Sequence, residues 1–160
     1  MLKTARHLEF ARLHEALIDV VSVMNRPQLD LKVIEKASVA LDRALFPLLV
    51  AIDLRGPIGV VDLAHRVGRD YSTVSRQVSK LEENGLVTRE ASPTDARVTQ
   101  VAMTKKGRTM TTALDGAREK IMMSLLADWD KKELAELARL LRKFADTALD
   151  YVRTEKSRVK

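Results

Sequence analysis

The stretch from Gly59 to Gly107 constrains this 160-residue chain more than any other. It reads as a short helix, a turn at Gly68, a second helix, and two short alternating runs. The second helix is Asp70-Tyr71-Ser72-Thr73-Val74-Ser75-Arg76-Gln77-Val78-Ser79-Lys80-Leu81-Glu82-Glu83-Asn84-Gly85. Val74, Val78 and Leu81 recur at helical spacing and form one narrow apolar stripe. The opposite face carries Ser72, Arg76, Ser79 and Lys80, with Thr73 at its edge. A helix with so narrow a stripe rests on a core by one side only. Short hydroxyls and long cations on its free side suit the width and acceptor pattern of a DNA major groove.

Local signals set the boundaries of these elements. Gly59 is a tolerable N-cap for the first helix, and Asp62 suits its positive end. Asp70 is an N-cap for the second helix, and Gly85 closes it. Leu86–Ala91 and Arg97–Met103 alternate as strands around Ser92-Pro93-Thr94-Asp95-Ala96, a run of turn formers, and so predict a β-hairpin.

The flanks read as helices. Phe10, Leu13, Leu17, Val20 and Met24 predict one helix over residues 5–25, stopped by Asn25-Arg26-Pro27. Residues 28–41 leave a short helix and a packed loop both open. A further helix begins at Asp42 as N-cap, holds Leu45, Phe46, Leu49 and Ile52, and tolerates Pro47 in its first turn. Thr104 caps a helix from Lys105 to Leu126, carrying Met110, Leu114, Ala117, Ile121 and Leu125. Asp130 and Glu133 form a capping-box-like start to the last helix. Its Leu134, Leu137, Leu141, Phe144, Ala148 and Tyr151 repeat as a heptad stripe that wants a helical partner. Packing on the domain core is the simpler alternative. The polar end, Thr154 to Lys160, is expected to fray.

Composition narrows the function. A hydrophobic content of 46% is enough for a real core. Lys and Arg outnumber Asp and Glu by 28 to 22, a net charge of +6 that suits a polyanionic partner without proving one. With no cysteine, disulfides, a thiol sensor and Cys-ligated metal sites are excluded. Aromatic residues at 4% are too few for base-stacking platforms on single strands. No apolar run approaches the roughly 20 residues of a membrane span, and the N-terminus lacks a signal-peptide centre, so a cytoplasmic protein without a membrane partner is expected.

Leu81-Glu82-Glu83-Asn84-Gly85-Leu86-Val87-Thr88-Arg89 resembles the Leu-Glu-x-x-Gly-Leu-Val-x-Arg segment of MarR-type winged-helix regulators. Asp95-Ala96-Arg97, preceded by Pro93, resembles the family's Asp-x-Arg wing tip, and Met103-Thr104-Lys105-Lys106-Gly107 its Leu-Thr-x-x-Gly junction. Leu63-Ala64 matches the first helix of the reading head. The Leu to Met change at 103 conserves volume. The specific match covers Leu41 to Gly107; outside it only the helical layout is shared.

The resemblance implies a mainly α fold with a small β-hairpin wing, one MarR-like domain over 1–160. Within it, about 42–107 is the winged helix-turn-helix head, and about 5–25 and 105–154 are dimerisation helices. It also implies a homodimer on a pseudo-palindromic double-stranded DNA operator. The dimer is expected to be a repressor rather than an activator. In many members of the family a small molecule, often an aromatic acid, releases the DNA.

Candidate DNA residues follow from both readings. Arg76 can donate two hydrogen bonds to one guanine edge, with phosphate contact as the alternative. Ser72 and Thr73 lie in the first turn, where the helix enters the groove. Tyr71 either contacts the DNA backbone or packs on the preceding helix. Gln77 lies to one side of the free face, and Lys80 suits a phosphate. Arg97 at the wing tip suits a minor groove, with Asp95 holding it in place. Arg89, Lys105, Lys106 and Arg108 default to a solvated face.

Phe10, His14, Leu17, Phe46, Leu49 and Met110 are candidates for lining an effector pocket, and equally for an ordinary core. Phe10, Leu13, Leu17, Leu134, Leu137, Leu141 and Phe144 are candidates for the dimer interface. His7 and His14 lie two turns apart, roughly 10 Å along a helix, too far for one metal without help from elsewhere. No metal site or cofactor is therefore expected, and a metal-responsive regulator is only an alternative. No catalytic constellation is visible, so an enzyme is not expected. A winged-helix protein-interaction module without DNA binding remains the other alternative, disfavoured by the basic free face.

Overall fold

A computed structural model describes residues 2–94 and 98–158. The chain forms two compact units, residues 1–121 and 122–160.

In the first unit, α1 (Leu2–Met24) and α2 (Pro27–Ala37) precede a 3₁₀ turn at Arg43–Leu45 and α3 (Phe46–Arg55). Strand β1 (Ile58–Gly59), α4 (Val60–Val67), α5 (Tyr71–Glu83), β2 (Val87–Ala91) and β3 (Thr99–Met103) form the central segment. Helix α6 (Lys105–Leu125) follows, beginning in this unit. The sheet is antiparallel in the order β1-β3-β2, with Ile58 opposite Val101 and Val87 opposite Met103. This is a mainly α fold with a small antiparallel wing.

The open segment at 28–41 is helical in α2 as far as Ala37, and its non-helical remainder packs Val39 and Leu41 against the core. Pro27 opens α2, where a missing amide hydrogen costs nothing, and Val33 and Ile34 bury its inner face. Asp42 does act as a cap, accepting from Ala44 N at 2.8 Å, but what it starts is the 3₁₀ turn. Helix α3 begins three residues later than expected from that cap, with Pro47 in its first turn. The short strand β1 went unpredicted, since two residues carry no periodicity and pairing with β3 alone defines them.

The core sits where α2, α3, α4, α5, the wing and α6 converge. Leu48, Leu49, Ile52, Leu63, Val74, Val78, Leu81, Val101 and Leu114 are wholly buried. Each such aliphatic side chain contributes about 1.5–3 kcal/mol relative to exposure. Helix α1 stands apart from this core and leaves Leu8, Phe10, Leu13, Ile18 and Val20 about half exposed.

The junction between wing and α6 explains why its residue types occur together. Thr104 N donates to the Leu86 carbonyl at 3.1 Å, and Thr104 Oγ1 donates to the Gly85 carbonyl at 2.7 Å. The same hydroxyl accepts from Gly107 N at 3.0 Å, capping α6. A Cβ on Gly107 would collide with the Leu86 carbonyl oxygen and crowd the Met103 side chain. Helix and strand approach so closely that only glycine fits.

The second unit is the end of α6 and α7 (Lys131–Arg158). Asp130 and Glu133 cap α7 reciprocally: Glu133 N donates to Asp130 Oδ1 at 2.8 Å, and Asp130 N to Glu133 Oε2 at 2.9 Å. The stripe residues Leu134, Leu137, Leu141 and Phe144 are each about half exposed. Helix α7 extends to Arg158, and Thr154 Oγ1 donates to the Asp150 carbonyl at 2.9 Å; residues 159–160 of the polar end lie outside the described residues.

Candidate nucleic-acid interface

Helices α4 and α5 form the reading head. Gly68 ends α4 at φ 65°, a left-handed conformation that glycine adopts without strain, and lets the chain turn straight into the next helix. Asp70 caps α5, accepting from Thr73 N at 2.8 Å and from the Ser72 hydroxyl at 2.6 Å. The Ser72 hydroxyl, then the Thr73 side chain and backbone, hold the Asp70 carboxyl well below the usual carboxylate range. Gly85, at φ 69°, ends α5, with Leu86 N closing onto the Leu81 carbonyl at 2.9 Å.

Val74, Val78 and Leu81 are fully buried, so the expected stripe is the seat of α5. Tyr71, Ser72, Arg76 and Lys80 are exposed, and Thr73, Gln77 and Ser79 are half-buried. Tyr71 is 56% exposed. Arg76 lies along its own helix, its Nε donating to the Ser72 carbonyl at 3.2 Å. Among the described residues its two terminal nitrogens have no partner, which leaves the forked end of the guanidinium for a ligand. Lys80 likewise has no partner among the described residues.

The other basic residues divide by what they hold. Arg89 on β2 pairs with Glu82 at 3.3 Å and donates to the Ser79 hydroxyl at 3.1 Å, tying the wing to the end of α5. Lys106 donates to the Asn84 carbonyl at 2.8 Å, at the negative end of α5. Arg108 reaches the Met103 carbonyl at 3.4 Å. All three, read from sequence as a solvated face, are exposed and also hold these contacts. The exposed pair contributes orientation more than stability.

Sequence reasoning missed Arg69. Its Nη1 donates to the Ala44 carbonyl at 3.1 Å and to Gln77 Oε1 at 3.0 Å. Gln77 Nε2 donates to the same Ala44 carbonyl at 3.1 Å. The carboxamide of Gln77, expected to face DNA, is thereby engaged at both ends inside the head. The one local signal was a cation set between Gly68 and Asp70, at the helix-to-helix turn.

Asp95 and Arg97, expected at the wing tip, lie outside the described residues. Strands β2 and β3 do form the hairpin that leads to them.

Phe46 and Leu49 belong to the core, and Met110 packs against it. His14 and Leu17 line an open cleft of about 390 Å³ along α1, with Ile18, Val21 and Ser22. Phe10 is 57% exposed, under the Arg6 guanidinium. Among the described residues no three His, Asp or Glu side chains are placed to hold a metal ion. No helix among them is long and apolar enough to cross a membrane.

Two helices joined by a tight turn, the second with a free polar and basic face, then a two-stranded wing: this is the winged helix-turn-helix class of DNA-binding protein. Residues 41–99 match the MarR family model, a span that holds α4 and α5. The chain is 32% identical over 116 residues to the uncharacterized HTH-type transcriptional regulator YxaD of Bacillus subtilis (strain 168), covering 72% of this chain and 81% of that protein. A MarR family protein from Bacillus stearothermophilus shares the fold with a TM-score of 0.72 at 20% identity, over 89% of this chain and 97% of the other. A MarR transcriptional regulator from Methanosarcina mazei Go1 does so with a TM-score of 0.69 at 22% identity, over 86% and 99% of the two chains. The chain belongs to the MarR family of DNA-binding transcriptional regulators.

Proposed function

We propose that this regulator is a cytoplasmic homodimeric repressor that reads a pseudo-palindromic operator and is released by a small molecule. Helix α5 enters the major groove, with Arg76 on a base edge. Tyr71, Ser72, Thr73 and Lys80 hold the backbone. The hairpin enters the flanking minor groove through Arg97, which Asp95 positions. Residues 1–160 act as one protomer, with residues 42–107 as the head. The observation that carries this reading is the division of α5. Its apolar stripe is wholly buried, while Arg76 and Lys80 face outward with their cationic ends unpaired among the described residues.

Dimerisation is supported by two apolar stripes that the single chain leaves exposed. Phe10 and Leu13 on α1, joined by the half-buried Leu17, form one; Leu134, Leu137, Leu141 and Phe144 on α7 form the other. Solvated apolar stripes of this length are costly unless covered. Two heads then meet half-sites one helical turn apart, about 34–36 Å. An effector would enter from the α1 side, where Phe10, His14 and Leu17 remain accessible.

Selection of bound sequences from a random duplex pool tests the DNA reading, and recovery of an inverted repeat is expected. Sedimentation tests the dimer. The unaltered chain should run as a dimer at micromolar concentration, and Leu137→Lys with Leu141→Lys as a monomer. A monomer from the unaltered chain would end the dimer reading.

A further inference from the structure

The three hydrogen bonds around Ala44 do more than hold the head together. Building on the DNA-reading function above, we infer that Gln77 and Arg69 are positioning residues: they set the rotation of α5 about its axis, and Gln77 reads no base itself. The seat of α5 is apolar. Val74, Val78 and Leu81 hold it against the core by contacts that have no preferred direction. Hydrogen bonds do have one. Gln77 lies one residue, roughly 100° around the helix, from Arg76. A bond that pins Gln77 therefore pins the azimuth at which Arg76 leaves the helix.

The anchor is rigid. The Ala44 carbonyl takes both Arg69 and Gln77, filling its two lone pairs, while Ala44 N donates to Asp42 at 2.8 Å. This turn runs directly into α3, whose Leu48, Leu49 and Ile52 are wholly buried. Arg69 closes the triangle from the α4–α5 turn through its bond to Gln77. The required precision is small in scale. A roll of about 10° moves a group about 6 Å from the helix axis by about 1 Å. A two-point contact to a base edge tolerates only about 0.5 Å.

The test measures affinity of the full-length chain for its selected duplex and for a scrambled duplex, with base preference profiled at every position. Gln77→Met matches the side chain in length without its hydrogen bonds. It should lower the ratio of specific to non-specific affinity about fivefold to tenfold. The loss should spread over all positions that α5 reads. Arg69→Met should do the same, and the double variant should be no worse than either single one. Arg69→Lys, which can still donate to both oxygens, should retain the ratio within about twofold.

A change of preference at one base pair in Gln77→Met, additive with Arg69→Met, would make Gln77 a base reader and overturn the inference. A lower melting temperature with an unaltered ratio would overturn it too, reducing the triangle to a structural tie. If Arg69→Met fails to fold, Gln77→Met alone still separates one base pair from all. If the unaltered chain selects no sequence at all, the DNA-reading function fails and this inference with it.

Discussion

Replacing Arg76 with alanine should cost specificity, whereas replacing Lys80 should cost only general affinity. Arg76 is held along α5 by one bond from Nε to the Ser72 carbonyl at 3.2 Å, which leaves both terminal nitrogens on the outward side. Two donors in a fixed fork match the O6 and N7 acceptors of guanine, a pairing worth about 1–3 kcal/mol of discrimination. A dimer uses the residue twice, so Arg76→Ala should weaken binding to the selected duplex by about 2–6 kcal/mol. Binding to a scrambled duplex should change far less. Stability should barely move, since the side chain is exposed and its hydrogen bond is to its own helix. Lys80 is a point charge on a flexible stem, further along the exposed face. Its removal should weaken both duplexes alike and lower the slope of log affinity against log salt by about 0.9 per protomer. Fluorescence anisotropy titrations of both duplexes from low to moderate salt measure both effects. Equal losses on the two duplexes for Arg76→Ala would refute its role as a base reader.

Three further outcomes are expected. Gly107→Ala should force α6 away from β2, because its Cβ meets the Leu86 carbonyl, and should cost about 1–3 kcal/mol in a thermal or denaturant melt; an unchanged midpoint would mean the junction relaxes freely. Asp70 has its folded pKa held down by Ser72 and Thr73, so its capping stabilisation is complete above the ordinary aspartate range and is lost as pH falls through that lowered value. Against Asp70→Asn, which caps without titrating, the unaltered chain should lose stability in acid, and parallel pH profiles would refute the assignment. Under the proposed wing reading, Asp95→Ala should weaken operator binding although it removes a negative charge, because Arg97 would lose its guide; tighter binding at the same salt would reduce Asp95 to a turn former.

The boundaries of α4 and α5 and the starts of α6 and α7 were readable from the chain because their causes are local. Gly68 and Gly85 adopt positive φ, Asp70 and Thr104 cap their helices, and Asp130 and Glu133 cap each other within four residues. The stripe of Val74, Val78 and Leu81 is a matter of spacing alone, and it separated the buried side of α5 from Ser72, Arg76 and Lys80. Residues that act through neighbours three or four positions away leave their trace in sequence.

Tertiary structure decided what depends on distant partners. Ala44 and Gln77 are 33 positions apart, and Arg69 and Ala44 are 25 apart. No periodicity links them, so Gln77 looked available to DNA when its amide is engaged inside the head. Arg89 is exposed, as its sequence suggested, but its bonds to Ser79 and Glu82 depend on the hairpin that brings it there. Strand β1 exists only because β3 lies beside it, and Phe46 and Leu49 are packed in the core. Sequence determines which face of a helix is free, because that follows from side-chain order along one element. Which polar groups on that face remain unsatisfied follows from what the other elements bring to them, and only the assembled fold sets that.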